Sequence, residues 1–362
     1  MTHFEQLHEE IQNGLEGKNS SIPTGFHRFD RFVSIRKRIY SLIFGGTGCG
    51  KTGFVHNAYI LNPFDWWMQN KRNTNATLKP ILFSMERSKL YTLSKWVSRK
   101  IFLEEGINVP VGKMLGWWDI KLTHDEHDLI KMNEDYVNEL CEFVEIYEGN
   151  RSAADIFRIL KQYAEQNGVE EQVSEHKKVY IPNKPNEIVM PIVDHMGLIK
   201  RTKDTPVKKE AIDKVSEHMQ YFRDFHGYSP VVVSQVNRDI SNPIYQKMDS
   251  FEPNLDQIKE SGRPAEDSDC VISLFQPSRY KTTDKTYNVS KFINPENGAD
   301  CFRKISILKN TYGEADVGIG MAFMGSTGMF KELVSPREYK NMDDEQLNNF
   351  YNSILDYKYF LK

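Results

Sequence analysis

The sequence predicts an α/β protein with a mostly parallel central sheet that is flanked by helices on both faces. Runs such as "SLIF", "PILF" and "VVVS" are apolar throughout, which is typical of strands buried on both faces. These runs alternate with longer amphipathic segments, the pattern of strand–helix–strand units. A glycine-rich loop also joins one such strand to one such helix between Leu42 and Val55.

The amino-acid composition and the net charge indicate which classes of protein fit this sequence. At 362 residues, with 39% hydrophobic and 27% charged residues, the chain has the make-up of a globular protein with one large core or two modest ones. The 47 basic and 50 acidic residues nearly cancel, so a nucleic-acid partner would have to bind to local loops. The four cysteines form no CxxC pair, and no run reaches the length of a membrane span. We therefore expect a reduced, cytoplasmic protein with no membrane partner and neither a zinc knuckle nor a disulfide framework.

The first predicted element is an amphipathic helix. Phe4, Leu7, Ile11 and Leu15 are three, four and four residues apart and so share one helix face. A helix this short is marginal alone, and its apolar stripe needs a surface, either the protein's own core or a neighbouring subunit. The following "GKNSSIPTG" is typical of a linker. Residues 1–20 are thus predicted to be a linker helix and a linker.

Strands and helices then alternate along the chain. The strand "RIYSLIF" ends at Gly45 and a helix follows Lys51, while the strand "KPILFSME" leads into a helix from about Ser88 to Phe102. Residues 103–145 are charged and predicted to be helical. Pro191 is awkward in a central strand because proline cannot donate a ladder hydrogen bond. The next predicted strands are "CEFVEIYEG", "EIVMPIVDHMGLI" and "SPVVVSQ", with the helices "SAADIFRILKQYAEQNG" and "KKEAIDKVSEHMQYFRDFHG" between them.

The last part of the chain is predicted to be more antiparallel. "DCVISLFQ", "KISILKN" and "IGMAFMG" have the composition of strands. Residues 336–362 are predicted to contain a terminal helix. Its apolar residues Leu347, Phe350, Ile354 and Leu355 are expected to close off the core.

The glycine-rich loop predicts a specific chemistry. Glycines let backbone N–H groups turn toward phosphate oxygens, and the following helix adds its positive end. Lys51 is expected to reach the β- and γ-phosphates of a nucleoside triphosphate, and the Thr52 hydroxyl to ligate Mg²⁺. A plain glycine-rich turn between strand and helix is the alternative. The residues that match the motif G-x-x-x-x-G-K-[ST] are Gly45, Gly46, Thr47, Gly48, Cys49, Gly50, Lys51 and Thr52.

Three polar residues follow predicted strands, at the ends where open α/β sheets bind ligands. Glu86 is a candidate to polarise a water for attack on the γ-phosphate, Asp194 to hold Mg²⁺ through water, and Gln235 to sense the γ-phosphate. A polar residue that closes a strand is more often a cap, so each residue is weak evidence alone. Together with the glycine-rich loop, and in this chain order, they are stronger evidence.

In these residues the sequence resembles the RecA-like motor domain of DnaB-type hexameric replicative DNA helicases. The resemblance runs from "SIPTGFHRFD" to about "FKEL", most of the chain. It rests on the glycine-rich loop, on "FSMERS" for the family's strand-end Glu, on "IVDHMGLIK" for its Mg²⁺-binding strand and on "SQVNR" for its sensor strand. More specific are "QIKESGRPAEDSDCVISL", similar to the family's DNA-gripping loop, and "LKNTYGEADVGIGMAFMG", similar to the segment that reaches the neighbouring ATP site.

The resemblance implies roles for particular residues. Glu86 would be the general base, Asp194 the Mg²⁺ partner and Gln235 the sensor. Lys309 would be a basic finger that acts on the neighbouring subunit's site. The DNA-binding residues that the family implies are Lys259, Glu260, Ser261 and Gly262 in one loop, and Lys200, Arg201, Lys203, Lys208 and Lys209 in a second, which is otherwise an ordinary solvated basic run.

The resemblance also implies ATP and Mg²⁺ as cofactors. The implied partners are single-stranded DNA, further copies of the chain in a hexameric ring, and a primase or a loader. On this basis residues 21–335 are the RecA-like ATPase domain and residues 336–362 a C-terminal helical tail. We expect a pared-down, phage-like chain without the family's N-terminal collar domain.

The sequence departs from the family pattern in two further respects. Thr311 stands where the family usually has an Arg, two residues past Lys309. Turnover is therefore expected to be slow, or the finger comes from elsewhere, with Arg303 and Lys304 as nearby candidates. The segments near 103–145 and 276–304 are also enlarged relative to the compact family core.

Three functions fit the sequence. The leading one is an ATP-driven, ring-forming translocase on single-stranded DNA that unwinds DNA during replication. A recombinase-like or packaging ATPase would share Lys51, Glu86 and Asp194 on the same core. A nucleotide-gated loader or scaffold with weak hydrolysis is the third, and Thr311 is its best support.

Overall fold

One large sheet organises the described part of the chain, which comprises residues 2–361 of a computed structural model except 17–20, 73, 75, 118, 237–251 and 260. Its strands are β1 (Ser41–Gly45), β2 (Thr77–Ser84), β3 (Glu145–Glu148), β6 (Glu187–Asp194), β7 (Val231–Gln235), β8 (Cys270–Phe275), β9 (Phe302–Asn310), β10 (Val317–Met324) and β11 (Met329–Glu332). Two further strands, β4 (Gly168–Ser174) and β5 (Lys177–Pro182), form a separate hairpin.

The strand order across the sheet is β11-β10-β9-β8-β1-β7-β6-β2-β3. The strands from β8 to β3 in this order pair in parallel, whereas β9, β10 and β11 extend the sheet in antiparallel pairing. The predicted mostly parallel sheet with a more antiparallel end is confirmed. Because the parallel strands share one direction, their carboxyl ends meet at one edge of the sheet, where ligands of such sheets bind.

Helices cover both faces of the sheet. Ile43 packs in one core together with Phe54, whereas its strand neighbours Leu42 and Phe44 pack in the other together with Phe222. Burial on both faces explains why these strands are apolar throughout. The helices of the described residues are α1 (His3–Leu15), α2 (Lys51–His56), α3 (Asn62–Asn70), α4 (Lys89–Glu105), α5 (Val111–Met114), α6 (His124–Met132), α7 (Glu134–Phe143), α8 (Ala153–Gln166), α9 (Lys208–His226), α10 (Arg263–Asp267), α11 (Pro336–Lys340) and α12 (Asp344–Leu355).

Local signals set several of these helices. The Ser88 hydroxyl accepts a hydrogen bond from the Tyr91 N–H and so caps α4, and Ser152 forms a capping box at the start of α8. A π-helical segment, Asn57–Leu61, joins α2 to α3. The helical prediction for residues 103–145 is confirmed by α5, α6 and α7. Within the described ranges no helix has the length and apolar character needed to cross a membrane.

The predicted strands and those of the structure differ in two places. The strand expected at "CEFVEIYEG" is shorter, because α7 continues through Phe143 and β3 begins only at Glu145. The β4–β5 hairpin was not predicted, since its sequence is rich in Glu and Lys, which are depleted in strands.

Pro191 does lie inside a central strand, β6. The backbone hydrogen-bond donor that it lacks has little effect on the pairing of this strand with its neighbours. The Val189 carbonyl, two residues earlier, accepts a hydrogen bond from the Ser229 N–H on the β7 side. The Pro191 nitrogen faces that same side, because backbone groups alternate along a strand. The β6–β7 register begins only at Ile192 and Val231, so the missing donor falls at the start of this ladder.

The two ends of the chain differ in how they pack. In α12, Phe350 and Ile354 are buried in a cluster with Phe292, which confirms that the terminal helix closes off the core. In α1, the apolar stripe Phe4, Leu7, Ile11 and Leu15 is 51–76% exposed. Of the two surfaces considered for this stripe, the protein's own core is therefore not the one it packs against.

Candidate active site

The glycine-rich loop lies between β1 and α2, at the carboxyl edge of the parallel strands, in the strand–loop–helix context that the sequence predicts. Gly48 and Gly50 have φ angles of +77° and +96°, in the left-handed region that favours glycine. At Gly45 the constraint is space, because a Cβ there would lie 2.4 Å from the Leu274 carbonyl oxygen of β8. The loop therefore turns closely over the end of the sheet with no side chain in its path.

Lys51 folds back over this loop. Its Nζ donates to the carbonyl oxygens of Gly45 and Gly46, both at 2.9 Å, and its side chain is buried. The side chain of the next residue, Thr52, lies beside Asp194 at the end of β6. Burial raises the pKa of Asp194 to about 6, although the Thr52 side chain and the Lys51 charge act in the opposite direction. The predicted Mg²⁺ ligands Thr52 and Asp194 are thus in contact.

The predicted base and sensor lie at the same edge of the sheet. Glu86 follows β2, is half exposed, and pairs with the Arg87 guanidinium at 3.1 Å. Between Glu86 and Gln235 lies His195, which the sequence reasoning missed. The His195 Nε2 is 4.0 Å from the Glu86 carboxylate and 3.3 Å from the Gln235 amide nitrogen. Its position directly after Asp194 is the signal that could have identified it.

These residues line a cavity of about 350 Å³, which is within the size range of small-molecule sites. The opposite wall is formed by α4 and by the turn between β10 and β11. Lys95 of α4 donates to the Gly325 carbonyl of that turn at 2.8 Å, and burial lowers the pKa of Lys95 to about 8, with the Arg87 charge acting the same way. Trp96 donates to His56 Nδ1 at 3.1 Å. Burial lowers the pKa of His56 to about 4, so His56 is neutral near pH 7.

The residues at this cavity fit a triphosphate together with Mg²⁺. Thr52 and Asp194 offer adjacent oxygen ligands, which Mg²⁺ prefers, and Mg²⁺ at such sites takes its remaining ligands from phosphate and water. In the portion of the chain that the structure describes, no three His, Cys, Asp or Glu side chains cluster as a dedicated metal centre.

Lys309 lies away from this cavity in the same chain. It pairs with Val271 near the start of β8, whereas the glycine-rich loop follows the opposite end of the adjacent β1. The Lys309 Nζ donates to the carbonyl oxygens of Ala265 at 3.0 Å and Glu266 at 2.9 Å. A role for Lys309 in phosphate chemistry therefore requires the site of another subunit.

Arg303 and Lys304 are the two candidates to replace the finger Arg that the family usually has. Both are held by contacts within their own chain. Arg303 is 4% exposed, and its Nε donates to the Cys49 carbonyl of the glycine-rich loop at 2.9 Å. Lys304 pairs with Glu252 at 2.8 Å and with Asp284 at 3.7 Å. The expectation that either residue serves as a finger is therefore not supported, because both are engaged within the chain that carries them.

The first predicted DNA loop is only partly described, since Glu260 lies outside the described residues. The Lys259 N–H donates to the Gln235 carbonyl at 2.8 Å, so this loop is tied to the end of the sensor strand. Ser261 is buried and its hydroxyl donates to Asp213, which makes Ser261 an anchor of the loop and not a surface contact. Gly262 has a φ of −79°, so the conformational freedom of glycine is not needed there.

The second predicted DNA loop lies just beyond β6. Lys200 and Arg201 are exposed, as are Lys203 and Lys209. Lys208 differs from them, because its Nζ donates to the Ile199 carbonyl at 2.7 Å and so fastens the loop to the start of α9. Four of these five basic residues therefore face solvent.

A phosphate-binding loop at the carboxyl edge of a parallel sheet is the arrangement of the P-loop nucleotide hydrolases, and this sheet is of their RecA-like class. Residues 21–332 match the model of the DnaB-like helicase C-terminal domain, and the chain belongs to that family. The fold and the family that the sequence predicts are thus confirmed.

Solved structures agree on the fold. One of them, described as an ATPase domain, has a TM-score of 0.65 at 17% identity, over 91% of this chain and 97% of that one. A DnaB-like replicative helicase, described with its interactions with primase, has a TM-score of 0.62 at 16% identity, over 92% of this chain and 67% of that one. No curated protein matches the sequence of this chain.

We expect Lys51→Ala to abolish ATP binding, because no other residue of the loop carries a positive charge to meet the phosphates. Titration with a fluorescent ATP analogue measures the affinity. The thermal midpoint without nucleotide is the control, since Lys51 also bonds to two loop carbonyls. Retention of the parental affinity in a folded variant would contradict the assignment of the loop.

Asp194→Asn is expected to stabilise the nucleotide-free protein above about pH 6, by up to about 3 kcal/mol, and to have no effect below about pH 4. Folding raises the pKa of Asp194 from 3.8 to about 6, so the native state binds the proton more tightly and loses stability as the pH rises through this window. The amide cannot ionise and escapes this loss.

Urea unfolding at pH 4, 5, 6 and 7.5 measures the pH dependence of this effect. The matched control is Asp128→Asn, because Asp128 is an exposed carboxylate. A stability difference that is the same at every pH would show that ionisation of Asp194 is not its cause.

Proposed function

We propose that this protein is an ATP-dependent, ring-forming translocase that unwinds DNA by moving along single-stranded DNA during replication. The proposal is carried by one observation: Lys51, Glu86 and Asp194 surround a single cavity in a chain of the DnaB-like helicase family. These residues supply the charge, the proton acceptor and the oxygen ligand that phosphoryl transfer to water requires.

The hydrolytic step is assigned to residues at the carboxyl edge of the sheet. Lys51 binds the β- and γ-phosphates, and bound Mg²⁺ neutralises charge on the phosphate oxygens. Glu86 accepts the proton of the attacking water, and the Arg87 guanidinium pairs with its carboxylate at 3.1 Å. Gln235 and His195 are hydrogen-bonded at the same edge and orient groups around the γ-phosphate.

Assembly into a ring is supported by two features on different parts of the chain. The exposed apolar stripe of α1 is suited to dock on a neighbouring copy, because four large apolar side chains on one helix face are costly to leave in water. Lys309 serves a phosphate site only if that site belongs to a neighbour. The ring is proposed to be a hexamer, as the family resemblance implies.

Movement on DNA needs a link between the nucleotide and the DNA loops. Gln235 provides it, since its side chain contacts His195 at the cavity and its carbonyl accepts from the Lys259 N–H. Lys259, Lys200 and Arg201 are proposed to bind phosphates of single-stranded DNA, which compensates for the near-neutral charge of the whole chain. A primase or a loader is proposed as a further partner, because a DnaB-like relative is described with its interactions with primase.

A nucleotide-gated loader or scaffold with weak hydrolysis is the second candidate. Thr311 is exposed where the family usually has an Arg, and Arg303 is buried against its own loop. An arginine finger typically contributes 10³–10⁵ in rate, so its loss favours slow turnover. Stimulation of ATP hydrolysis by single-stranded DNA distinguishes the two candidates, because a scaffold has no use for it.

Glu86→Gln is expected to retain ATP binding and to lower the rate of ATP hydrolysis by at least about 100-fold, the usual contribution of a general base. The amide has the same shape as the carboxylate but cannot accept the proton. Hydrolysis is measured by phosphate release, and strand separation on a forked DNA is measured in parallel. Glu105→Gln, at an exposed end of α4, is the matched control. Parental turnover in Glu86→Gln would place the base elsewhere.

The double variant Leu7→Asp and Ile11→Asp is expected to weaken self-association of the chain. The charges fall on the exposed apolar face of α1, where each side chain contributes about 1.5–3 kcal/mol if a neighbour buries it. Analytical ultracentrifugation with ATP measures the assembly. The control, Gln12→Asp and Asn13→Asp, adds the same charge to the same helix away from the stripe. Equal assembly of both variants would exclude α1 as the docking element.

A further inference from the structure

Two arginines from outside the glycine-rich loop each bind one of its carbonyl groups. Arg279 donates through Nη1 to the Thr47 carbonyl, and Arg303 donates through Nε to the Cys49 carbonyl at 2.9 Å. Both arginines belong to the stretch 276–304, which the family resemblance implies is enlarged relative to the compact family core. The role of this stretch is not explained by the hydrolytic residues described above.

The two contacts determine where the following N–H groups point. In a planar trans peptide the carbonyl and the next N–H lie on opposite sides of the chain. Arg279 holds the Thr47 carbonyl and does not line the cavity, so the Gly48 N–H is directed to the opposite side, toward the cavity that Gly48 lines. Arg303 has the same effect on the Gly50 N–H through the Cys49 carbonyl. Inward N–H groups are the donors with which such loops bind phosphate oxygens.

Lys51 acts on the other part of the loop. Its Nζ binds the Gly45 and Gly46 carbonyls, whereas the arginines bind the Thr47 and Cys49 carbonyls. Four carbonyls of the loop are therefore held by three cations. A bound phosphate can replace the loop carbonyls as the partner of the Lys51 ammonium. The two arginine contacts then stay in place, because they do not involve that ammonium.

Asp300 connects the two arginines. One of its carboxylate oxygens accepts from the Gln276 amide at 2.9 Å and from the Ser278 hydroxyl, which fixes the turn that carries Arg279. The same oxygen lies 3.4 Å from Arg303 Nη1. The Arg303 guanidinium also lies over the Phe323 ring, at 4.5 Å from its centroid. Arg303 is thus fixed by several contacts. Asp300 also holds the turn that carries Arg279.

We propose that Arg279 and Arg303 are positioning residues that hold the glycine-rich loop in its phosphate-binding conformation. The inference rests on the proposed function, because it concerns the same nucleotide site. The stretch 276–304 then has a role: its contacts hold the glycine-rich loop in the binding conformation before the nucleotide binds. The residues that line the cavity do not include Arg279 or Arg303, so their loss is expected to weaken nucleotide binding before it alters the chemical step.

Arg279 offers the cleaner test, since it is exposed and its replacement leaves the core intact. Arg279→Met is expected to weaken the affinity for ATP and for ADP by about tenfold each, because a hydrogen bond from a charged donor is lost and both nucleotides carry the β-phosphate that the loop binds. The thermal midpoint without nucleotide is expected to stay unchanged. Arg279→Lys, which keeps a charged donor, is expected to recover part of the affinity.

The matched control is Lys285→Met, which removes one exposed positive charge from the same stretch. Asp300→Asn is a second variant, expected to weaken ADP binding at least as much as Arg279→Met because Asp300 anchors both arginines. Affinities are measured by titration with fluorescent ATP and ADP analogues on the full chain, with wild type and Lys51→Ala as references.

Each result of these titrations either supports or overturns the proposed role of Arg279 and Arg303. Weaker ATP and ADP binding in Arg279→Met, with parental affinity in Lys285→Met, supports the proposal. Unchanged affinity in Arg279→Met beside a wild type that binds ATP overturns this inference alone. A lower rate at saturating ATP with unchanged ADP affinity also overturns it, in favour of direct action on the phosphate. Equal loss in Lys285→Met would assign the effect to charge rather than to the carbonyl contact. Failure of the wild type to bind either nucleotide would reject the proposed function itself.

Discussion

The parallel pairing of β1 between β7 and β8 is the constraint on which the candidate site depends. This pairing places Gly45 beside Gln235 and Leu274, and the parallel pairing of β2 with β6 places Ser84 beside Asp194. Residues that are far apart in the sequence therefore share one edge of the sheet. A slip of one residue in a strand would also exchange its two buried faces, so the cores on both sides fix the site's geometry.

The same geometry places Lys309 and the candidate site at opposite edges of the sheet. Nucleotide chemistry is assigned to the carboxyl edge, whereas Lys309 lies near the amino edge, about three strand residues or 10 Å away along β8. Burial at the carboxyl edge has a cost, visible in the raised pKa of Asp194. Such a cost is common where a protein keeps a charged group for function, and it is offset by the surrounding core. We propose that a chain built in this way has a complete site only next to another copy.

Sequence reasoning captured what local patterns encode. The glycine-rich motif, the apolar strands and the stripe of α1 depend on neighbours a few positions apart, so their fold context was predictable. The contacts of Arg279, Arg303 and Lys95 were not, because each joins segments that meet only in the folded chain. Ser261 shows the same limit, since its motif suggested a surface role but its partner, Asp213, comes from α9.

A subunit-mixing measurement tests directly whether the nucleotide site is shared between two copies of the chain. Lys51→Ala removes the loop's cation but leaves Lys309, and Lys309→Ala does the reverse, so each variant supplies what the other lacks if the site lies between two copies. ATP hydrolysis is measured with single-stranded DNA for each variant alone and for an equal mixture at constant total protein. If the site lies between two copies, each variant alone is nearly inactive and the mixture recovers a substantial fraction of parental activity. A mixture no more active than the average of the two variants, or a fully active Lys309→Ala alone, would contradict a site shared between two copies.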